Sequence, residues 1–402
     1  MNKIRIALSL VYSFCMGIIS FTGANAQVST LPFSNYIKQR SGLAHAYEAI
    51  VVRKQATVAF LGGSITYNPG WRDMVCADLK ARFPGTRFHF IAAGIPSLGS
   101  LPHAFRLQQD VLDSGKVDLL FLEAAVNDQV NRTDSTIQVR ALEGIVRHAR
   151  ASNPAMHIIM MSFADPDKTK LYDEGIVPVS VANHELVAAH YGLPSINLAK
   201  AVRDKLANHE FSWEKDFKDL HPSPFGQELY FTAIKTLLSA AFENKVAIGR
   251  KSTGLPAALD KASFTRGRYA ATGDASHDAQ WTLVKDWTPD DQLGTRPGFV
   301  HVPMLTATVP GASLTLEFKG TAVGMAIASG ADAGIVTYRI DNGPEKQLDL
   351  FTEWSSSLHL PWYVIFDSGL KDTRHTLRLT VSPEKNPSSN GTACRIAHFL
   401  IN

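Results

Sequence analysis

The chain has 402 residues, too many for one ordinary domain, so two are expected. Its 45% apolar and 19% charged residues are the composition of a folded globular protein. A formal net charge of +3 is too small to argue for nucleic acid or an anionic membrane surface as partner, and three cysteines exclude a disulfide framework or a multi-cysteine zinc site.

Residues 1–26 read as a secretory signal peptide. Lys3 and Arg5 make a basic start, an apolar run follows from Ile6 to Phe21, and Ala24-Asn25-Ala26 supplies a small-x-small cleavage site before Gln27. The run is short for a membrane anchor. Its removal takes away two positive charges, no acid and Cys15, leaving a nearly neutral chain with Cys76 and Cys394. A secreted or periplasmic protein is expected, with no stable membrane insertion after cleavage. Residues 27–56 read as an N-terminal arm or helix.

From 57 to 248, short apolar runs alternate with longer amphipathic ones. The runs Val58–Leu61, Phe88–Ala92, Val117–Leu122, Met156–Met161 and Pro194–Asn197 have strand character. Helical patterns lie near 70–82, 102–114, 134–151, 178–191 and 224–241. Strand and helix in alternation predict an α/β domain, a parallel sheet covered by helices on both faces. A linker is expected over 249–255. Beyond it, short runs such as Ser313–Phe318, Val323–Ala328, Tyr363–Phe366, Thr376–Val381 and Cys394–Ile401 predict a β-sandwich of jelly-roll kind over 256–402. Asp341-Asn342-Gly343 marks one tight turn in it.

Ligands of a parallel sheet bind beyond the carboxyl ends of its strands. The first strand runs into Gly62-Gly63-Ser64, so Ser64 stands at that edge as a nucleophile or as the cap of the next helix. The sequence lacks the Lys-Ser/Thr of a P-loop, a G-x-G-x-x-G and a G-x-S-x-G elbow. The second strand ends at Gly94, where a bare backbone N–H is available. The third ends in Ala125-Val126-Asn127-Asp128, where Asn127 supplies an amide donor or a turn. Downstream, His221 sits on a short loop with Asp219 two residues away, ahead of a helix that Ser223 would cap and Pro224 would open.

These four blocks resemble the SGNH (GDSL-type) hydrolases over roughly residues 57–242. The resemblance implies an α/β/α flavodoxin-like fold and an acyl-enzyme mechanism. Ser64 takes the place of the nucleophile and His221 that of the base. The Ser64 and Gly94 backbone N–H groups and the Asn127 amide stand as the oxyanion hole. Two positions depart from the family pattern. Ala125 stands where the third block usually has glycine, and Lys218 stands three before the histidine, where the family usually has its aspartate. Asp219 is the expected orienting acid and Asp216 the reserve; a dyad without a carboxylate is also open. No metal or organic cofactor is expected.

Gly-Gly-Ser-Ile-Thr followed by Gly-Trp-Arg resembles secreted carbohydrate acetylesterases, and the C-terminal segments around Trp354, Trp362 and Glu384 resemble the sandwich appended to them. The expected substrate is therefore an acetylated polysaccharide or oligosaccharide. Trp71 and Arg72 are candidate substrate contacts, with helix packing and an ion pair to Asp73 as their plain alternatives. Trp354 or Trp362 could stack on a sugar, although burial in the sandwich core is favoured for both. The competing functions are a short-chain esterase or lipase on non-sugar esters and a non-catalytic glycan-binding protein on an esterase fold.

Overall fold

In the computed structural model, residues 29–243 and 254–402 are described. The expected signal peptide and most of the expected linker lie outside them. Among the described residues no helix is long and apolar enough to cross a membrane. Cys76 and Cys394 are both free.

The N-terminal domain is built on six strands: β1 (Ile37–Lys38), β2 (Gln55–Gly62), β3 (Arg87–Gly94), β4 (Leu119–Glu123), β5 (His157–Ser162) and β6 (Ser195–Asn197). Their order across the sheet is β1-β6-β5-β4-β2-β3. All neighbours run parallel except β1, which pairs antiparallel with β6. The N-terminal arm is thus part of the sheet, followed by α1 (Ala44–Tyr47) and a further helical turn to Val52. The other helices are α2 (Ser64–Tyr67), α3 (Trp71–Arg82), α4 (Ser100–Asp110), α5 (Ala125–Val130) and α6 (Ser135–Ser152), then α7 (Pro166–Asp173), α8 (Val179–His190), α9 (Leu198–Ala207) and α10 (Pro224–Glu243).

Strand side chains alternate between two separate cores, which is why the strands read as unbroken apolar runs. Ala59, Leu61, Leu120, Leu122, Ile158 and Met160 point into the core that α4, α6 and α8 close. Val58, Phe60, Leu119, Phe121, Ile159 and Met161 point into the core that α3, α9 and α10 close.

The C-terminal domain is two antiparallel sheets. One has the order β15 (Leu360–Asp367), β12 (Val323–Ser329), β17 (Cys394–Ile401), β10 (Val302–Ala307), β9 (Thr282–Trp287), with β7 (Arg268–Ala270) also on β17. The other has β14 (Lys346–Asp349), β13 (Ile335–Ile340), β16 (Thr373–Val381), β11 (Ser313–Gly320) and β8 (Ala275–His277). Every residue of β12 is buried. The reason is that its sheet has two covered faces. Met325 and Ile327 meet the second sheet, whereas Ala326 and Ala328 belong to the same core as α4 and α6 of the first domain.

The two domains therefore share one apolar seam. Phe264 packs on Phe105, with ring centroids 5.1 Å apart. The Phe264 N–H bonds to the Arg140 carbonyl at 3.1 Å. A Cβ on Gly144 would lie 2.5 Å from the Phe264 carbonyl oxygen, so only glycine lets this loop lie on α6. Polar bonds fix the register of the seam: Glu143 accepts the Asp260 N–H at 2.9 Å, and Arg140 reaches Asp260 at 2.7 Å and Ser368 at 2.8 Å.

Candidate active site

β2 ends at Gly62, and Ser64 opens the single-turn helix α2. The turn is tight because Tyr67 N–H closes on the Gly63 carbonyl at 2.9 Å. A Cβ on Gly63 would lie 2.0 Å from Asn127 Nδ2. The missing side chain at Gly63 is thus what admits the Asn127 amide beside the serine. Gly94, at the end of the neighbouring strand, serves the same turn from the other side: its Cβ would fall 2.5 Å from the Tyr67 nitrogen. The strand ends bring Ser64, Gly94 and Asn127 together as the spacing implies.

His221 comes from the loop before α10, and its Nε2 lies 2.8 Å from Ser64 Oγ. At that distance the hydroxyl and the imidazole are within reach for proton transfer. Lys218 has φ +82°, a left-handed backbone unusual for a residue with a side chain. This turn carries the chain from Phe217, buried in the core, up to the exposed segment of Asp219 and His221. Asp219 Oδ1 is 3.8 Å from His221 Nδ1 and also accepts the His221 N–H. Its side chain is 68% exposed and that of His221 is 47% exposed. Asp216 is turned elsewhere: its carboxylate accepts the Ser212 N–H at 2.8 Å and caps its own helical turn. Ser223 holds this loop through a bond to the Asp216 carbonyl.

Two expected substrate contacts are elsewhere. Trp71 is 0% exposed, edge-on to Phe60, Phe121 and Phe163, and its Nε1–H bonds to the Ile65 carbonyl at 3.2 Å. It is core, with no face toward solvent. Arg72 folds back to donate to the Thr66 carbonyl at 2.9 Å and pairs with Asp73 at 3.1 Å. It braces α2 and does not line the cavity.

Ser64, Asn127 and His221 line a cavity of about 330 Å³ whose other wall comes from the sandwich. That wall consists of Arg296, Trp354, Leu358 and Leu360. Trp354, which burial in the core had been expected to claim, is instead 39% exposed. Arg296 bridges the domains, its Nε donating to Ser97 Oγ at 3.1 Å. Ser97 itself has φ +70° and its carbonyl accepts from Asn131 Nδ2 at 2.9 Å. Ser97 and Asn131 also line a second cavity of about 460 Å³ farther along the seam, with Trp362 on its sandwich side. Arg296 and Asn131 carry no sequence motif, and nothing local in the motif segments places Ser97, Leu358 or Leu360 at the cavity; the docking of the domains does.

Below the site, Glu123 ends β4 and Asp128 follows Asn127. Burial pushes each carboxyl up to about 7. Glu123 accepts the Val126 N–H at 3.2 Å, and Asp128 accepts the Ser100 N–H at 2.8 Å and its hydroxyl at 2.9 Å. Both thereby fix the backbone on either side of Asn127. Among the described residues no group of three or more His, Cys, Asp or Glu side chains is arranged to hold a metal ion.

Residues 60–229 match the GDSL-like Lipase/Acylhydrolase family. Over that stretch the α/β domain is of the SGNH/GDSL hydrolase type. No curated protein matches the chain. Among solved structures, the chain is similar over both domains to a two-domain esterase (CEX) active on acetylated mannans, co-crystallised with mannopentaose. That match has a TM-score of 0.72 and 19% identity, covering 93% of this chain and 98% of that one. A second structure of the same esterase without the mannopentaose gives 0.72 and 19%, with 92% and 98% covered. At this identity the likeness is one of fold, and it includes the pairing of a GDSL-type domain with a β-rich second domain.

Proposed function

We propose that the protein is an exported serine esterase that removes O-acetyl groups from a polysaccharide or its oligosaccharides. The observation that carries this reading is the 2.8 Å contact of His221 Nε2 with Ser64 Oγ in a cavity shared by the two domains. Export is supported by the basic, apolar, small-x-small order of residues 1–26.

In the proposed reaction His221 takes the Ser64 proton as Oγ attacks the acetyl carbonyl carbon. The backbone N–H groups of Ser64 and Gly94 and the Asn127 amide hold the oxyanion. The sugar hydroxyl leaves with the proton from His221. Water, deprotonated by His221, then cleaves the acetyl-enzyme and releases acetate. Asp219 orients the imidazole from the solvent side.

A sugar substrate is supported by the second wall. Trp354 offers an apolar face with a polar edge beside Arg296, and the cavity beyond Ser97 and Asn131 leaves room for neighbouring units of a chain. The relative active on acetylated mannans has the same two-domain plan. The test is acetate release from acetylated mannan, xylan and pectin, beside 4-nitrophenyl acetate and longer-chain esters, for wild type and Ser64→Ala. Release from a glycan that disappears in the variant is expected. Activity that rises with acyl chain length overturns the reading in favour of a lipase. Glycan binding without any hydrolysis overturns it in favour of a binding protein.

A further inference from the structure

Helix α4 carries two polar side chains that the proposed reaction does not use. Arg106 and His103 are completely buried and lie one turn apart. Arg106 Nη2 donates to the Ala93 carbonyl at 2.6 Å and the Gly62 carbonyl at 3.2 Å. Its Nη1 donates to Asp110 at 2.7 Å and its Nε to His103 Nδ1 at 3.2 Å. The other ring nitrogen, His103 Nε2, is 3.2 Å from the Glu123 carbonyl oxygen. Since Nδ1 accepts from Arg106, the ring proton sits on Nε2 and is donated to that carbonyl. Burial, and then the Arg106 charge, push His103 well below its ordinary range, which keeps the ring neutral.

The three carbonyls gathered in this way lie at or next to the ends of the three strands that lead to the oxyanion donors. Gly62 lies two residues before Ser64, Ala93 one before Gly94, and Glu123 four before Asn127. The Ala93 case is the most direct. The Ala93 C=O and the Gly94 N–H belong to one planar peptide and point in opposite directions. An arginine that holds the oxygen from below aims the N–H upward, and its charge polarises the amide into a better donor. An apolar side chain could fill the same volume without the cost of burying a guanidinium. What arginine adds is a rigid fork with fixed directions.

We propose that Arg106, with His103 as its relay, is a positioning residue of the oxyanion hole, setting the relative heights of the strand ends that bear Ser64, Gly94 and Asn127. The proposal rests on the esterase reading above. It is tested on the full chain with Arg106→Met and Arg106→Lys, each assayed well below its melting temperature. The readouts are kcat and KM on 4-nitrophenyl acetate and the affinity for a small alkylboronic acid, which forms a tetrahedral adduct with a serine. Arg106→Met is expected to lower kcat by about 10- to 100-fold. KM should stay within about threefold, and boronate affinity should fall together with kcat. Arg106→Lys, which keeps the charge but not the fork, should fall between this variant and wild type. Wild-type kcat and boronate affinity with only a lowered melting temperature overturn the proposal. If Arg106→Met does not fold, Arg106→Lys decides by the same criterion. A wild type inactive on every acetyl ester instead overturns the esterase reading, so the two failures are distinct.

Discussion

The α/β domain reaches the cavity with the ends of its strands and with the loop that carries His221, whereas the sandwich reaches it with loop residues and the first residue of β15. Strand ends are held by ladder hydrogen bonds and by two cores, so Ser64, Gly94 and Asn127 share a rigid frame. Trp354 and Arg296 sit on connections between strands, placed by the docking of one whole sheet against α4 and α6. In the proposed function the difference is that between reaction and fit. The oxyanion donors, which must meet a developing charge within a fraction of an ångström, come from the frame. Groups that select the alcohol part of an ester come from segments free to vary.

The largest effect that would sharpen this division is on the nucleophile. Ser64→Ala should lower kcat on 4-nitrophenyl acetate by on the order of 10⁴-fold or more, with an unchanged melting temperature. Substantial residual turnover would mean that another group attacks. Asn127→Ala should cost about 10²–10³ in kcat with little change in KM. A KM effect of that size would move Asn127 from the frame to the fitting wall.

Trp354→Ala should separate the two walls. KM on an acetylated oligosaccharide is expected to rise about tenfold, while kcat/KM on 4-nitrophenyl acetate stays near wild type. Equal losses on both substrates would break the comparison. Asp219→Asn should be milder, about threefold in kcat, because its carboxylate is exposed and 3.8 Å from the ring. Asp216→Asn should change stability and leave kcat alone, since that carboxylate caps Ser212. A strong kcat loss confined to Asp216→Asn would reverse the assignment of the acid.

The smallest expected effect concerns pH. Burial lifts Glu123 and Asp128 to about 7, whereas an unfolded chain releases those protons near pH 4. Between these values the folded state holds more protons, so their contribution to stability falls as pH rises from about 5 to 7.5. In the sandwich the sign is opposite. Burial works against the charged form of Asp332, but Arg395, at 2.6 and 2.7 Å, holds the group below its usual range. That contribution is present at neutral pH and lost only in acid. Melting temperatures from pH 5 to 8 should therefore decline, and Glu123→Gln should flatten the decline. An unaltered slope would show that Glu123 is not its source.

Much of the frame was legible in the chain. Val58–Leu61 and Met156–Met161 are apolar without alternation because both faces of the sheet are covered, and they are strands. The Gly-Gly-Ser turn, Gly94 and Asn127 stood out through their order at strand ends, and His221 through its short loop ahead of a helix with Asp219 two residues away. The short helices α2, α5 and α7 were missed, being one or two turns long and too brief to show a helical period, and α9, which follows β6 without a break, was missed as well. Strands β7 to β10 were also missed. The first two are only three residues long, and β9 shows exposed positions at an edge of its sheet. Trp71 misled because a tryptophan next to a catalytic turn has the same sequence neighbours whether it faces solvent or Phe121.

The sequence by itself determined the order of the elements and the residue types at each strand end, because local pattern and turn chemistry act over a few residues. Only the tertiary structure decided which residues of the second domain face Ser64, that Trp71 is core, that Asp219 and not Asp216 turns toward His221, and that Arg106 and His103 together reach three strands at once. These are contacts between residues tens to hundreds apart in the chain. They are set by how two apolar faces dock and by which buried polar groups must find partners, and no local pattern encodes either.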